Sequence, residues 1–466
     1  MNRAVVIFFT GLLLLNIASE TRGEETTDKF GRFGKINLYH TSAHPARVVL
    51  FVSGDGGWNL GVVDMARELA ALDALVVGID ITYYLKQLDR ASEHCAYPAA
   101  DFELLSKYVQ KKLGFPQYIT PVLVGYSSGA TLVYAAAVQA PSNTFRGAIS
   151  LGFCPDIAIS KPFCRGSGLE WTRLSRGKGY SFLPATHLAV SWIVFQGTVD
   201  QVCNAEKTRD YVRQVNNGKI VLLPKVGHGF SVPKNWLPQF KAEFARLTKQ
   251  RSETSISSSA GALTDLPLVE LAAQGPGSDR MAVFWSGDGG WAELDQAICT
   301  GLSDRGVPVV GVNSLKYFWT KRTPEQTAED LERIIGHFAA LWQKKEVVLI
   351  GYSLGADILP FAANRLNAQW KSRVKLIVLL GPSLQADFEF HLSDWLGASS
   401  KTALPTMPEV IQLGDTRLLC IYGEQETGSL CPDLQGRSFK KLALPGAHHF
   451  GGNYAQIVAT ILQGMK

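Results

Sequence analysis

The hexapeptide Ser-Gly-Asp-Gly-Gly-Trp occurs twice, at Ser53–Trp58 and Ser286–Trp291, each time closing an apolar, β-branched run. A repeat at domain spacing constrains the architecture more than any single motif can, because it requires two units of one design. The landmarks after each copy keep their order. Gly125-Tyr126-Ser127-Ser128-Gly129 follows the first and Gly351-Tyr352-Ser353-Leu354-Gly355 the second; then come a Gly-containing acidic turn and a histidine. A chain of 466 residues accommodates this, since one domain takes roughly 100 to 200 residues.

Within each half, short apolar runs alternate with longer amphipathic segments, the βα pattern of a mostly parallel sheet covered by helices on both faces. In the first half the expected strands are 47–52, 75–79, 121–124, 147–150, 191–195 and 220–223. In the second they are 281–285, 307–312, 346–350, 374–380, 416–422 and 440–444. Helices are expected at 130–140 and 326–341, among others. A polar, Ser-rich stretch at 249–262 reads as a flexible linker. It separates an N-terminal domain (30–248) from a C-terminal domain (263–466).

Residues 1–23 are of another kind. Arg3 precedes an almost unbroken apolar run from Ala4 to Ala18, which has the build of a secretory signal peptide and is shorter than the roughly 20 apolar residues of a spanning helix. No clean Ala-x-Ala site follows, so an uncleaved anchor is the alternative; no lipobox cysteine ends the run. Export to the bacterial periplasm is the expected destination. Seven cysteines suit an oxidising compartment. Cys154 with Cys164, and Cys420 with Cys431, are the expected local disulfides. Cys95, Cys203 and Cys299 are left over, and an odd count leaves at least one thiol free or intermolecular. No Cys-x-x-Cys or His-rich spacing occurs, so the sequence calls for no metal and no cofactor. A net charge of +5 carries no nucleic-acid footprint.

Gly-x-Ser-x-Gly is a weak pattern alone, but both copies follow a buried strand and open a helix, the context of a nucleophile elbow. Serine needs a base to take its proton, and the base needs an acid to fix its tautomer. In the first half Asp200 follows the strand ending at Phe195 and His228 follows the next one, giving a second candidate site of Ser127, Asp200 and His228. In the second half Ser353, Glu426 and His448 hold the same order and form the principal candidate. Aligning Phe230 with Phe450 sets His448 opposite His228 and makes His449 a neighbour. Glu424 and Asp433 compete with Glu426 as the acid.

The doubled hexapeptide supplies what a triad lacks. Its glycines expose backbone N–H groups, so Gly287 or Asp288, with Leu354 after the nucleophile, are the expected oxyanion donors. Asp55 and Asp288 read first as Asx-turn acids of their own loop and second as contacts to a cationic substrate group. Trp58 and Trp291 read first as core packing. Asp357, in the first turn of the post-elbow helix, suits the helix dipole and is a further substrate-binding candidate. Phe388-Glu389-Phe390-His391 with Trp395 reads as a lipid-facing rim or an apolar satellite cluster. The fold class is therefore tandem α/β-hydrolase-like domains.

Several segments are specific enough to carry a resemblance: Ser286–Trp291, Gly351-Tyr352-Ser353-Leu354-Gly355-Ala356-Asp357-Ile358-Leu359-Pro360-Phe361, Asp387-Phe388-Glu389-Phe390 and Leu430-Cys431-Pro432. The chain resembles the AcvB/VirJ family of bacterial virulence proteins, most densely from Leu263 onward. The resemblance implies a periplasmic α/β-hydrolase that hydrolyses aminoacyl-phosphatidylglycerol, lysyl-phosphatidylglycerol above all, at the membrane surface. It also implies type IV secretion components or cargo as partners, and with them the competing reading of a non-enzymatic periplasmic adaptor. The stretch Glu426-Thr427-Gly428-Ser429 departs from the family pattern, which leads one to expect an aspartate near Gly428.

Overall fold

The computed structural model describes residues 24–249, 263–274, 277–391, 402–436 and 438–466. The segment 1–23 expected to be a signal peptide, the expected linker apart from Lys249, and Trp395 lie outside the described residues. Each half builds its own sheet. The N-terminal sheet has eight strands in the order Glu24–Phe30, Gly34–His40, Ala74–Ile79, Arg47–Val52, Val122–Tyr126, Gly147–Leu151, Ser191–Gly197 and Gly218–Leu223. The first two strands pair antiparallel, as do Gly34–His40 and Ala74–Ile79; the rest run parallel. The C-terminal sheet has seven, in the order Leu268–Leu271, Val309–Val312, Arg280–Trp285, Glu346–Tyr352, Val374–Leu380, Leu418–Gly423 and Phe439–Leu444, with only the first antiparallel to its neighbour.

The expected parallel strands are all present. A polar edge hairpin, Glu24–Phe30 with Gly34–His40, adds to the sheet ahead of the first expected strand. Neighbouring residues on one strand belong to opposite apolar layers: Leu50 and Phe51, Val77 and Val76, Trp285 and Phe284. Side chains alternate faces along a strand, so a continuous apolar run is what two covered faces require. A small three-stranded sheet, Asp156–Ile157, Tyr180–Phe182 and Trp171–Arg173, is inserted after the strand Gly147–Leu151.

The halves meet through an apolar cluster of Tyr118, Leu315, Trp319 and Phe390. Trp319 donates its indole N–H to the Phe115 carbonyl at 2.8 Å, and Phe390 stacks on it with ring centroids 5.7 Å apart. Phe388 packs edge-on against Phe318 and Phe361. Of the two readings of this aromatic segment, the apolar cluster is the one built, and it lies between the domains.

The disulfides are Cys95–Cys164, Cys154–Cys203 and Cys420–Cys431, with Cys299 free and buried. Pairing of Cys154 with Cys164 is thus corrected. Cys164 donates its N–H to Ala96, which sets it beside Cys95, whereas Cys154 leaves the strand Gly147–Leu151 next to the acid loop that holds Cys203. Sheet topology, not chain proximity, chose the neighbours. No helix among the described residues is long and apolar enough to cross a membrane.

Candidate active site

Both candidate nucleophiles sit at left-handed backbone angles, Ser127 at φ 55°, ψ −122° and Ser353 at φ 51°, ψ −120°. A non-glycine residue holds such a conformation only where its surroundings enforce it. The flanking glycines explain how. A Cβ on Gly125 would stand 2.1 Å from the Gly129 carbonyl oxygen, and one on Gly355 would stand 2.2 Å from that of Trp285. The turn closes because no side chain intervenes.

In the N-terminal half the three residues form one hydrogen-bonded chain. His228 Nε2 and Ser127 Oγ are 2.9 Å apart, as are His228 Nδ1 and Asp200 Oδ2. Asp200 also accepts from the Gln196 side-chain amide and from the Val202 and Cys203 backbone N–H groups, and the Cys154–Cys203 disulfide anchors that loop. In the C-terminal half His448 Nδ1 and Glu426 Oε1 are 2.5 Å apart, while Glu426 Oε2 accepts from the Gly423 N–H at 3.1 Å. Neither Glu424 nor Asp433 bonds His448. Among the described residues the Ser353 hydroxyl bonds no protein group; it lines a cavity together with His448 and His449. His449 Nδ1 lies 3.2 Å from the Tyr352 hydroxyl, the neighbouring position expected of it.

The Glu426 hydrogen bond raises the pKa of His448, against the lowering effect of burial. Burial works against ionisation of Glu426, yet the His448 and Gly423 bonds outweigh it and hold its pKa below the ordinary carboxylate value. Burial, then the adjoining His448, lower the pKa of His449. An ionised acid beneath a basic imidazole is the state a general base requires.

The hexapeptide is held alike in both halves. Ser53 Oγ accepts from the Ile81 N–H and Ser286 Oγ from the Ser314 N–H. Gly57 and Gly290 have positive φ and stand where a Cβ would press on Asp80 and Asn313. Trp58 lies on Gly78 and Trp291 on Gly311, each so close that a Cβ would come within 2.1 Å and 2.0 Å of the indole. Both tryptophans therefore pack on the loop's seat, and Trp291 also lines the cavity beside Ser353. The loop runs beside the nucleophile: a Cβ on Gly287 would be 3.4 Å from that of Ser353. Gly287 is bridged to Gly290 across its own turn, whereas the N–H groups of Asp288 and Leu354 donate to no protein acceptor among the described residues. Leu354 opens its helix and has no intrahelical acceptor.

Two readings of the acids change. Neither Asp55 nor Asp288 hydrogen-bonds its own loop. Asp55 is exposed, and Asp288 lines the cavity. Asp357, expected as a substrate contact, is not among the residues that line that cavity. It is buried and accepts from the Ser383 N–H and hydroxyl at 2.6 and 2.9 Å; burial, offset by these bonds, pushes its pKa up to about 7. Its side chain pins the turn after the strand Val374–Leu380. There Gly381, at φ 57°, leaves room for His448, to which a Cβ would come within 2.9 Å.

Other contributors gave no sequence signal of their own. Tyr126 and Tyr352 donate to the carbonyls of His228 and His448 at 3.1 and 3.4 Å, so the tyrosine of each Gly-Tyr-Ser motif fixes its own base. The parallel position in both halves was the available clue. Asp295 lines the cavity as well. Its Oδ2 accepts from the Ala292 N–H, Oδ1 is buried without a partner, and burial, opposed by that bond, pushes its pKa up to about 7. Asp200, Cys203 and His228 are the described residues close enough to share a metal ion, but the disulfide and the triad already engage them.

The sequence matches the profile of the family described as bacterial virulence protein (VirJ), over residues 46–150 and 279–466. The chain belongs to the VirJ family. Among solved structures, this VirJ-family chain is similar to the esterase domain of a Rhodothermus marinus protein, at 15% identity over 48% of this chain and 98% of that one, with a TM-score of 0.33. Similarity extends to a dienelactone hydrolase from Anabaena variabilis (16%, 48% and 97%, TM-score 0.34) and an alpha-beta serine hydrolase homologue from Coxiella burnetii (16%, 49% and 97%, TM-score 0.31). No curated protein matches the sequence.

Proposed function

We propose that this VirJ-family protein is a periplasmic serine esterase that hydrolyses aminoacyl-phosphatidylglycerol, foremost lysyl-phosphatidylglycerol, to the amino acid and phosphatidylglycerol. The principal centre is Ser353, His448 and Glu426. The observation that carries this reading is the placement of Ser353 and a Glu426-supported His448 on a cavity of about 500 Å³ that Asp288 and Asp295 also line. A cationic aminoacyl group suits those carboxylates through charge-assisted hydrogen bonds.

An aminoacyl ester is a carboxylic ester, and the residues divide its hydrolysis in the usual way for such a triad. Ser353 Oγ attacks the acyl carbonyl while His448 Nε2 takes its proton. The oxyanion is held by the free N–H of Leu354 and those of Gly287 or Asp288. Collapse expels the phosphatidylglycerol alkoxide oxygen, which takes the proton from His448 and leaves as the hydroxyl. Water, deprotonated by the same imidazole, then releases the amino acid from Ser353. Purified protein carrying Ser127→Ala should still convert lysyl-phosphatidylglycerol to lysine, and adding Ser353→Ala should abolish that; loss of activity in Ser127→Ala alone, or its retention in the double variant, would refute the assignment. The closed chain Ser127–His228–Asp200 supports a second esterase centre in the N-terminal domain, which a fluorophosphonate probe reports by labelling Ser127.

A further inference from the structure

The cavity at Ser353 has two walls, and only one belongs to the C-terminal domain. The other is made by Ala100 and Glu103 on the helix Pro98–Lys112, by Tyr118 and Thr120 just beyond it, and by Ser142 and Asn143 in the turn after the helix Ser128–Gln139. These residues are far from the nucleophile in sequence and belong to a domain with a triad of its own.

The N-terminal domain also bonds the catalytic loop of its neighbour. Asn143 donates its side-chain amide to the carbonyl of Trp291 at 3.1 Å, and Trp291 closes the very hexapeptide that offers the oxyanion N–H groups. Tyr118 serves on both sides of the contact: its ring packs against Trp319 at 5.2 Å between centroids, and it lines the cavity. Lys111 donates to the Trp319 carbonyl at 2.5 Å. The wall is thus fixed to the site by hydrogen bonds and an aromatic cluster. Glu103 is its carboxylate, on the same cavity as Asp288, Asp295 and Lys316, and Lys107 pairs with it at 2.8 Å. The N-terminal site has no such arrangement, for no residue of the C-terminal domain bonds the loop Ser53–Trp58 among the described residues.

We propose that the N-terminal domain is a structural part of the C-terminal active site, with Glu103, Ala100 and the Ser142–Asn143 turn forming the wall that receives the acyl group of the substrate. Selectivity at Ser353 is then set across the domain boundary. The identity of that acyl group as a cationic aminoacyl chain rests on the function proposed above; the wall itself does not.

The test uses the full chain carrying Ser127→Ala, so that all turnover and labelling report on Ser353. The p-nitrophenyl esters of lysine and of norleucine differ by the side-chain ammonium alone. Glu103→Gln should lower the lysine-to-norleucine ratio of kcat/KM about tenfold, chiefly through KM, as expected for losing one charge-assisted contact. An unchanged ratio would overturn the role of Glu103. Ala100→Trp, which narrows the cavity without touching a charge, should slow labelling of Ser353 by a bulky fluorophosphonate at least tenfold relative to a small one. Equal slowing of both probes, or of neither, would overturn the wall. If Ser353 labels normally yet neither amino-acid ester is hydrolysed, the substrate reading fails while the graded labelling still decides the wall. Should Glu103→Gln fail to fold because Lys107 is buried beside it, Ala100→Trp decides alone.

Discussion

Ser127 and Ser353 occupy nearly superimposable backbone turns, follow equivalent strands and face the same six-residue loop, but their surroundings differ. Ser127 is already bonded to its base, and the acid behind that base is gripped by three further donors and a disulfide. The Ser353 hydroxyl meets no protein partner among the described residues, its base leans on a longer acid with one further donor, and its cavity is finished by the other domain. The comparison teaches that the elbow and the loop are set by short-range packing, which duplication copies intact. The acid and the substrate wall depend on what lies beyond the copied core. In the N-terminal half that is the loop joined by Cys154–Cys203; in the C-terminal half it is a neighbouring domain.

Replacing the two serines in turn should break the symmetry most. Ser353→Ala is expected to lower lysyl-phosphatidylglycerol hydrolysis on the order of 10⁴-fold or more, far beyond the effect of Ser127→Ala; reversed effects would make the N-terminal centre the principal one. Next is the acid. Glu426→Gln leaves His448 without its anionic partner and should cost about 10³-fold or more in kcat at Ser353, with fluorophosphonate labelling of Ser127 unaffected as the internal control. A smaller contrast comes from the covalent brace. Cys154→Ala with Cys203→Ala should destabilise the N-terminal domain by about 2 to 4 kcal/mol and slow labelling of Ser127 more than that of Ser353, read by thermal unfolding and probe kinetics. Equal slowing of the two would show that the brace does not act through Asp200.

The finest distinction is in pH. Because the Glu426 bond raises the pKa of His448, activity at Ser353 requires deprotonation above the ordinary histidine value near 6.5. The rate should therefore fall as pH drops through a midpoint above 6.5, and the midpoint should move downward in Glu426→Gln. A midpoint unmoved by that substitution would detach Glu426 from the base.

How much of this could be read from the residues varies with the range of the interaction. The strands were legible because runs such as Val48–Val52 and Leu376–Leu380 have two buried faces, which leaves their sequences uniformly apolar. Ser127, Asp200 and His228 were legible because chain order and strand ends locate them. Asp357 misled, since a carboxylate at a helix start looks alike whether it meets a substrate or, as here, buries itself on Ser383. The pairing of Cys154 was illegible because its neighbour is set by strand order across the sheet. The wall at Ala100, Glu103 and Asn143 was least legible of all: nothing in a helix of one domain announces that it borders the nucleophile of another.

The fit of Trp58 on Gly78 and of Trp291 on Gly311 carries a last consequence, about interchangeability. The hexapeptide and its seat form a lock whose parts match across the two halves, so a loop moved from one half to the other would find the same hole for its indole and the same hydroxyl latch for its serine. The seat keeps its shape although Asp80 is matched by Asn313 and Ile81 by Ser314. Divergence between the two centres is therefore concentrated in their acids and their walls, and redesign of either site has to begin there and leave the floor alone.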